Sequence, residues 1–385
     1  MSERLGIVPQ DQLFKKNIAL DDRSKYLRVS WGDIVYNPYL LWNRAVGVCF
    51  DKRGGCVSPA YVVLRPRARG IEKFLHYFLR SQTFTASIDA IASGSVTRRR
   101  TAPVNDILQL EFDLASVSDQ MAANVLLSEL DEKIELNRQM NETLEAIAQT
   151  LFKSWFVDFD PAHDKAEGRD PRLPKRLVGL FPDSFEGETP RGWKVDQIGK
   201  IAMLNRKGIN PGDFPNELFH HFSIPAYDEG CTPKNVSGKE IKSNKFLVPD
   251  NSVLLSKLNP RIPRVWLPVL QGKSRAICST EFLVITPTAD ATKEFLYCLF
   301  SSEDFISKFE SLVTGTSGSH QRVKPESLLL MDAVMPGKEI IYRFTEIVQP
   351  LLNRVSIMRD ESRTLTFLRT ALLPKLISGD IKVKE

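Results

Sequence analysis

Two stretches of this 385-residue chain repeat each other at a fixed distance. The segment CVSPAYVVLRP at 56–66 resembles CSTEFLVITP at 278–287, and KFLHYFLRSQTF at 73–84 resembles EFLYCLFSSEDF at 294–305. The matched pairs Phe74/Phe295 and Phe84/Phe305 are both separated by 221 positions. One offset held over several elements predicts a tandem duplication, in which each copy is a mixed α/β unit followed by a long helix.

The two copies differ at their beginnings. The second copy starts near GWKVDQIGKIAML at 192, and subtracting the offset (192 − 221 = −29) places the matching start about 29 residues before Met1. The first copy is therefore expected to lack its first strand or two.

Each copy ends in a run with a helical apolar stripe. From about residue 116 to 156 the chain contains no proline, and apolar residues recur at steps of three and four, as on one face of a helix. The stripe positions are Leu130, Ile134, Leu144, Ile147 and Leu151 in the first run, and Leu351, Val355, Met358, Leu365, Leu368 and Leu372 in the second. The pairs Leu144/Leu365, Ile147/Leu368 and Leu151/Leu372 again lie 221 apart.

Helices of this length would leave their stripes in water unless the two stripes packed together as a coiled coil. Asn137 and Asn141 fall on or beside the first stripe and Ser362 on the second, where polar residues can fix the register. We expect an antiparallel pair, because this direction puts the two globular units at opposite ends. A parallel pair, or helices that each merely cover their own unit, remain the alternatives.

The resulting fold class is α+β, a tandem duplication of two mixed α/β domains separated by two long antiparallel helices that form a coiled-coil spacer. The expected boundaries are 1–115 for the first domain, 116–156 for the central helix, 157–191 for a proline-rich linker, 192–337 for the second domain and 338–379 for the C-terminal helix.

Basic residues near glycine-rich turns indicate a polyanionic partner. The net charge of +5 permits such a partner without demanding it. Two similar domains on a rigid spacer suit DNA, whose features recur every turn. The candidate DNA-binding residues are Ser93, Ser95, Thr97, Arg98, Arg99 and Arg100 in the first copy, and Lys257, Arg261, Thr316, Ser319, His320, Arg322 and Lys324 in the second. Arg65, Arg67, Arg69 and Arg264 form further basic clusters. The alternative for any single arginine is a solvated surface charge.

The sequence gives no support to catalysis. The pentapeptide YNPYL at 36–40 resembles the tetrapeptide with which adenine methyltransferases hold their target, but no glycine-rich loop for a methyl donor accompanies it. We therefore expect Asn37 to be a loop residue at a strand end. The five cysteines are scattered without zinc-ligand spacing, so no metal site and no cofactor in this chain are expected. No apolar run is long enough for a membrane span, which predicts a cytoplasmic protein.

Three segments resemble a known family. LEAIAQTLFKSWFVDFDP at 144–161, TLTFLRTALLPKLISGDIKV at 364–383 and SKYLRVSWGDIVYNPYLLW at 24–42 look like parts of the specificity subunits of type I restriction–modification systems. The resemblance implies two target-recognition domains that read a bipartite asymmetric site in double-stranded DNA. It also implies two methyltransferase (M) subunits docked on the helices, and restriction/translocase (R) subunits. Apolar or aromatic residues near Phe152, Trp155 and Phe156 are candidate contacts for the M subunits, and the alternative is that these aromatics only pack into the base of a recognition domain.

The same resemblance implies that S-adenosylmethionine, ATP and Mg²⁺ act in the partner subunits and that this chain is a non-catalytic reader. The alternative is a truncated specificity fragment, or a recombination partner of specificity genes, that assembles with partners but no longer reads DNA properly.

Overall fold

The computed structural model describes residues 7–10, 24–91, 101–270, 272, 274–314 and 321–383. The chain divides into two compact units. Unit 1 comprises residues 1–135 and 364–385, and unit 2 comprises residues 136–363. The last part of the chain thus returns to the unit in which the chain begins.

Unit 1 contains short strands covered by helices. Its strands are β1 (Leu27–Val29), β2 (Ile34–Tyr36), β3 (Val46–Val48), β4 (Gly55–Val57) and β5 (Val62–Leu64). Its helices are α1 (Glu72–Phe78), α2 (Gln82–Ile91), α3 (Val104–Leu108) and the first half of α4 (Val117–Phe156). An antiparallel sheet has the order β3-β2-β5, and β1 pairs with β4. Phe74, Phe78 and Ile88 pack under the three-stranded sheet and exclude water from its inner face.

Unit 2 begins, after α4, with the short elements α5 (Asp160–Ala166), α6 (Lys175–Val178), β6 (Phe185–Glu186) and β7 (Thr189–Pro190). Its strands continue with β8 (Lys194–Gln197), β9 (Ala202–Asn205), β10 (Gly208–Ile209), β11 (Leu218–Phe222), β12 (Lys234–Ser237), β13 (Lys245–Leu247), β14 (Val253–Ser256), β15 (Val265–Trp266), β16 (Ala276–Cys278), β17 (Phe282–Pro287), β18 (Val313–Thr314), β19 (Arg322–Val323) and β20 (Asp332–Met335). The helices are α7 (Ile224–Asp228), α8 (Lys293–Ser301), α9 (Glu303–Ser311), α10 (Pro325–Leu329) and α11 (Lys338–Ser378), whose last turns belong to unit 1.

Two sheets form the body of unit 2. One has the order β15-β14-β17-β9 and is antiparallel; the other has the order β10-β13-β16-β11-β12 and contains one parallel pair, β11 with β16. Strands β14 and β17 are buried almost throughout, which matches their nearly continuous apolar sequences.

The structure confirms the tandem duplication element by element. Strands β2 and β3 correspond to β14 and β15 at an offset of 219 (34 + 219 = 253; 46 + 219 = 265). From β4 onward the offset is 221, because 55, 72, 82, 104 and 117 become 276, 293, 303, 325 and 338, the first residues of β16, α8, α9, α10 and α11. The order β3-β2-β5 recurs as β15-β14-β17. The second copy therefore carries two extra residues between β15 and β16.

The long helices pair antiparallel within each unit. In unit 1, Asp131 of α4 contacts Arg369 of α11, and the Ala115 amide donates to the Ile377 carbonyl at 3.0 Å. In unit 2, Asn137 donates to the Ser362 hydroxyl at 3.3 Å and Arg359 donates to Glu145 at 2.9 Å. Residue numbers rise along one helix as they fall along the other, so the antiparallel prediction is confirmed and the parallel alternative is wrong.

The packing also excludes helices that only cover their own copy. Leu376 and Ile377, near the end of α11, are buried in the same cluster as Phe74 of the first copy. Likewise Phe152 of α4 is buried against Phe295 and Phe344 of the second copy. Each helix therefore completes the core of both copies.

The buried stripe differs locally from the predicted one. Val355 and Met358 are buried, and Leu130, Ile134, Leu144, Leu151, Leu351, Leu365 and Leu372 are half-buried. Ile147 and Leu368 are instead 48% and 43% exposed, and their neighbours Ala148 and Arg369 occupy the inner positions. At Ile147 and Leu368 the buried seam between the two helices is therefore shifted by one residue from the predicted leucine-and-isoleucine stripe. A small residue and a charged residue take the inner positions there.

Phe152, Trp155 and Phe156 were expected to be candidate docking residues, and the structure corrects this. All three are buried in the aromatic core of unit 2, with Trp155 edge-on to Phe181 at a centroid distance of 5.1 Å. They hold the base of the second copy together and present no docking surface in this structure.

Candidate nucleic-acid interface

Two segments of unit 2, the loop after β14 and strand β19, bring basic residues together at one edge of the unit. The Val323 amide donates to the Lys257 carbonyl at 3.0 Å, and the Asn259 amide donates to the Gln321 carbonyl at 2.9 Å. These bonds join the loop that follows β14 to strand β19. The structure thus brings together Lys257, Arg261, Arg322 and Lys324, which the sequence places about 60 positions apart.

The edge is positive, and Arg322 is held there by a carboxylate. Arg322 donates from Nε and Nη2 to the two oxygens of Glu281, both at 3.0 Å. This hydrogen bonding, against a smaller opposing effect of burial, lowers the pKa of Glu281, and the charge of Lys257 adds to the shift. A bidentate pair of this kind orients a guanidinium and reduces its side-chain freedom. The arrangement can present an ordered arginine to a phosphate or a base edge.

A second ion pair lies next to this edge. Arg206, which follows β9, pairs with Glu326 of α10, and this hydrogen bond lowers the pKa of the Glu326 carboxyl. Lys324 contributes to the same shift through its charge. Both carboxylates on this edge are therefore ionised and matched by cations.

The equivalent edge of unit 1 was missed by the sequence reasoning. There the Ala102 amide donates to the Pro38 carbonyl at 3.1 Å, and these residues are the counterparts of Val323 and Lys257 (102 + 221 = 323; 38 + 219 = 257). The loop from Asn37 to Arg44 is therefore the structural equivalent of the basic loop in unit 2. Projecting Lys257 back through the repeat could have found it.

Asn37 is a loop residue, as expected. It follows β2 directly, and its Oδ1 accepts a hydrogen bond from the Tyr39 amide at 3.0 Å. An asparagine that bonds the backbone two residues on stabilises a turn.

Two other arginines from the basic clusters serve the fold. Arg65 donates to both oxygens of Asp33, at 2.9 and 3.0 Å, and this bonding lowers the pKa of that buried carboxyl. Arg264 is buried and donates to both oxygens of Asp228, at 2.7 and 2.9 Å. Arg264 is therefore tied to the protein, whereas Arg65 keeps 63% of its side chain exposed beside its ion pair.

The remaining predicted contacts, Ser93, Ser95, Thr97, Arg98, Arg99, Arg100, Thr316, Ser319 and His320, lie outside the described residues. The expectation that the first copy lacks its first strand or two stays a prediction.

The outer faces of the long helices repeat as well. Exposed apolar residues at equivalent positions form the pairs Met121/Tyr342, Leu136/Ile357 and Ile147/Leu368, each 221 apart. Leu136 and Ile147 are eleven residues apart, about three helical turns, so they share one face of α4. Each long helix thus carries a related apolar surface outside the seam.

The described residues contain no group of three His, Cys, Asp or Glu side chains placed to hold a metal ion. All five cysteines are free. No helix in the part of the chain that the structure describes has the length and apolar character to cross a membrane.

Comparison with known proteins gives matches over most of the chain. The type I restriction enzyme HindI specificity subunit of Haemophilus influenzae is 26% identical over 404 aligned residues, which cover 91% of this chain and 86% of that protein. The MjaIX specificity subunit of Methanocaldococcus jannaschii is 24% identical and covers 83% of this chain and 71% of that protein. No family model matches the sequence.

A solved structure shares the fold. The type I restriction–modification S subunit of M. genitalium aligns over 97% of this chain and 92% of its own, with a TM-score of 0.54 at 14% identity. Together with the two relatives, this shared fold confirms the resemblance to the specificity subunits of type I restriction–modification systems.

Proposed function

We propose that this chain selects the DNA sequence on which a type I restriction–modification complex acts, with each unit reading one half of a bipartite asymmetric site. The observation that carries the proposal is that both units have the same loop at the same edge. This loop follows β2 in unit 1 and β14 in unit 2, and an equivalent backbone hydrogen bond holds it in each. A pseudo-symmetric pair of readers suits a duplex, whose own symmetry makes two contacts at fixed spacing possible.

In unit 2 the contacts are assigned to Lys257, Arg261, Arg322 and Lys324. Arginines and lysines at such an edge bind phosphates, which sets position, or guanine O6 and N7, which sets sequence. The glycine-rich turns with Arg98 to Arg100 and with Thr316 to His320 remain part of the proposal on sequence grounds.

The partners are two M subunits and R subunits, which would bring S-adenosylmethionine, ATP and Mg²⁺, while this chain itself takes part in no chemistry. Support for two copies of one docking partner comes from the apolar pairs that recur at the same offset on α4 and α11. A contiguous exposed apolar patch is typical of an interaction site. A complex that acts on the host's DNA would work in the cytoplasm.

The test is methylome sequencing of a host that carries this chain with its neighbouring methyltransferase gene. We expect a new bipartite methyladenine motif. A paired change, Lys257→Glu with Arg261→Glu, should abolish recognition of one half-site, whereas Lys194→Glu, at an exposed lysine of β8, should leave the motif intact. A complex that co-purifies but gives no methylation would instead favour a fragment that assembles without reading DNA.

A further inference from the structure

The loop Asn37–Arg44 of unit 1 occupies the place of the basic loop in unit 2 but carries different chemistry. Pro38 stands where unit 2 has Lys257, and Tyr39 and Leu40 stand where it has Leu258 and Asn259, by the offset of 219. Tyr39 is 57% exposed and Leu40 is 40% exposed, whereas their counterparts are half-buried. The tip of the loop in unit 1, which is formed by Tyr39 and Leu40, is thus apolar.

This tip is a built feature held by its own backbone. The Leu40 amide donates to the Asn37 carbonyl at 3.1 Å, the Ala45 amide to the Leu40 carbonyl at 3.2 Å, and the Asn37 amide to the Ala45 carbonyl at 3.0 Å. Leu41 is buried in the core of unit 1 immediately after the tip. Tyr39 and Leu40 are therefore offered on a rigid loop, which lowers the entropy cost of a contact.

Positive charge lies beside the tip. Arg44 ends the loop with its backbone in the left-handed region, at φ 61°. Burial contributes most to the lowered pKa of Arg80, and the nearby charge of Arg44 lowers that pKa further. Two neighbouring guanidiniums favour a polyanion over an apolar protein partner at this place.

We propose that Tyr39 and Leu40 are specificity-determining residues that contact the 5-methyl group of a thymine in the half-site read by unit 1. Among the four bases only thymine offers an apolar group in the major groove, and apolar side chains are the ones that contact it. Against any other base edge the same two side chains would cover polar groups without replacing their hydrogen bonds, which is costly. This assignment rests on the proposed function, since it presumes that the edge faces DNA.

The test uses the full chain in complex with its M subunit and a duplex that contains the motif found by methylome sequencing. Each thymine of the motif is replaced in turn by deoxyuridine, which removes only the methyl group. We expect one thymine in one half-site whose replacement slows methylation by about fourfold, the value for one buried methyl group. In Leu40→Ala, and in Tyr39→Ala, that penalty should shrink towards none.

Controls separate a reading role from a folding role. Leu108→Ala, at an exposed leucine of the same unit, should keep the full deoxyuridine penalty. Both loop variants should still discriminate the other half-site as the unchanged protein does. An equal deoxyuridine penalty in Leu40→Ala and the unchanged protein, or a half-site without any methyl-sensitive thymine, would overturn the assignment. Failure of the proposed function would look different, because the unchanged protein would then yield no motif at all.

Discussion

The two units share a scaffold and differ on the surface that the scaffold presents. Every strand and helix from β2 to α4 has a counterpart from β14 to α11, with the same strand order and the same pinned loop. On that loop unit 2 carries Lys257 and Arg261, while unit 1 carries Tyr39 and Leu40. The scaffold and the proposed reading surface are therefore separable, since the backbone hydrogen bonds that hold the loop do not depend on its side chains.

A second comparison concerns the polar clusters that cross the helix pair. In unit 1 the carboxylate of Asp131 accepts from Tyr77 at 2.6 Å, Arg369 at 2.6 Å and Lys73 at 2.8 Å. In unit 2 the carboxylate of Glu145 accepts from Tyr297 at 2.8 Å and Arg359 at 2.9 Å.

In both clusters the tyrosine comes from the first helix after the sheet, the carboxylate from α4 and the arginine from α11. The repeat does not relate them, because the counterpart of Asp131 is Leu352 (131 + 221 = 352). The apolar packing of the copies follows the duplication, whereas these polar cross-links use positions that differ between the copies.

The largest expected difference between the units lies in their aromatic cores. Phe152→Ala removes a fully buried ring that touches Phe156, Phe295 and Phe344, and should lower the free energy of unfolding of unit 2 by about 3–5 kcal/mol. Its counterpart Leu373 is only half-buried, so Leu373→Ala should cost less. Urea unfolding measures both, and Phe367→Ala, at a 71% exposed ring, serves as the control. Equal losses at all three positions would contradict this difference.

The polar clusters should give the next largest effect. Asp131→Asn leaves Lys73 and Arg369 without their charged partner, and we expect a loss of about 2–3 kcal/mol. Glu145→Gln should cost less, because Glu145 has two partners where Asp131 has three. The exposed pair on α4 offers the control, since Glu142→Gln removes a partner of Arg138 at the surface and should have little effect.

The Asp131 effect should also depend on pH. Burial alone would raise the pKa of Asp131, but the hydrogen bonds from Lys73 and Tyr77 outweigh it and the pKa is lowered. A lowered pKa contributes stability above the unfolded value of about 3.9 and loses it as the pH falls through the folded value. The difference in the free energy of unfolding between Asp131→Asn and the unchanged protein should therefore disappear in acid. A difference that stays constant down to pH 2 would argue against an ionic contribution.

Sequence reasoning reached the scaffold because apolar periodicity and repetition are local signals. The offset between Phe74 and Phe295 was sufficient to predict the duplication, and the stripe through Ile134 predicted the helix pair. It placed Ile147 one position away from the seam, because a leucine-and-isoleucine pattern cannot show that Ala148 fits better where the helices approach closely.

The candidate interface was harder to predict. That Arg322 meets Glu281 while Arg264 is buried on Asp228 depends on long-range contacts, and charge alone does not distinguish the two. Tyr39 and Leu40 carry no charge, so a search for basic residues passed over them.

One half-buried histidine in each unit gives the two units a comparable acid response. Burial, with nearby Arg80 and Lys73, lowers the pKa of His76 in unit 1 to about 4, and burial with Lys245 lowers that of His221 in unit 2 to about 4. The unfolded chain takes up these protons first, so stability falls as the pH drops from about 6.5 towards 4, by about 3 kcal/mol for each imidazole. His76→Gln and His221→Gln should each flatten the pH dependence of urea unfolding for one unit. An unchanged slope in both variants would show that other groups control the acid response.

The smallest expected effect lies at Asn137, where the seam is polar. Its side chain is fully buried and donates to Glu361 at 2.8 Å and to Ser362 at 3.3 Å, while its Oδ1 has no hydrogen-bond partner among the described residues. A buried amide in a helix seam fixes register at a cost in stability. Asn137→Leu should therefore raise the free energy of unfolding by about 1 kcal/mol or less, and should loosen the register of the helix pair. A disulfide placed across the seam in the native register should then form more slowly in Asn137→Leu than in the unchanged protein. A marked loss of stability would mean instead that the two hydrogen bonds outweigh the burial of the amide.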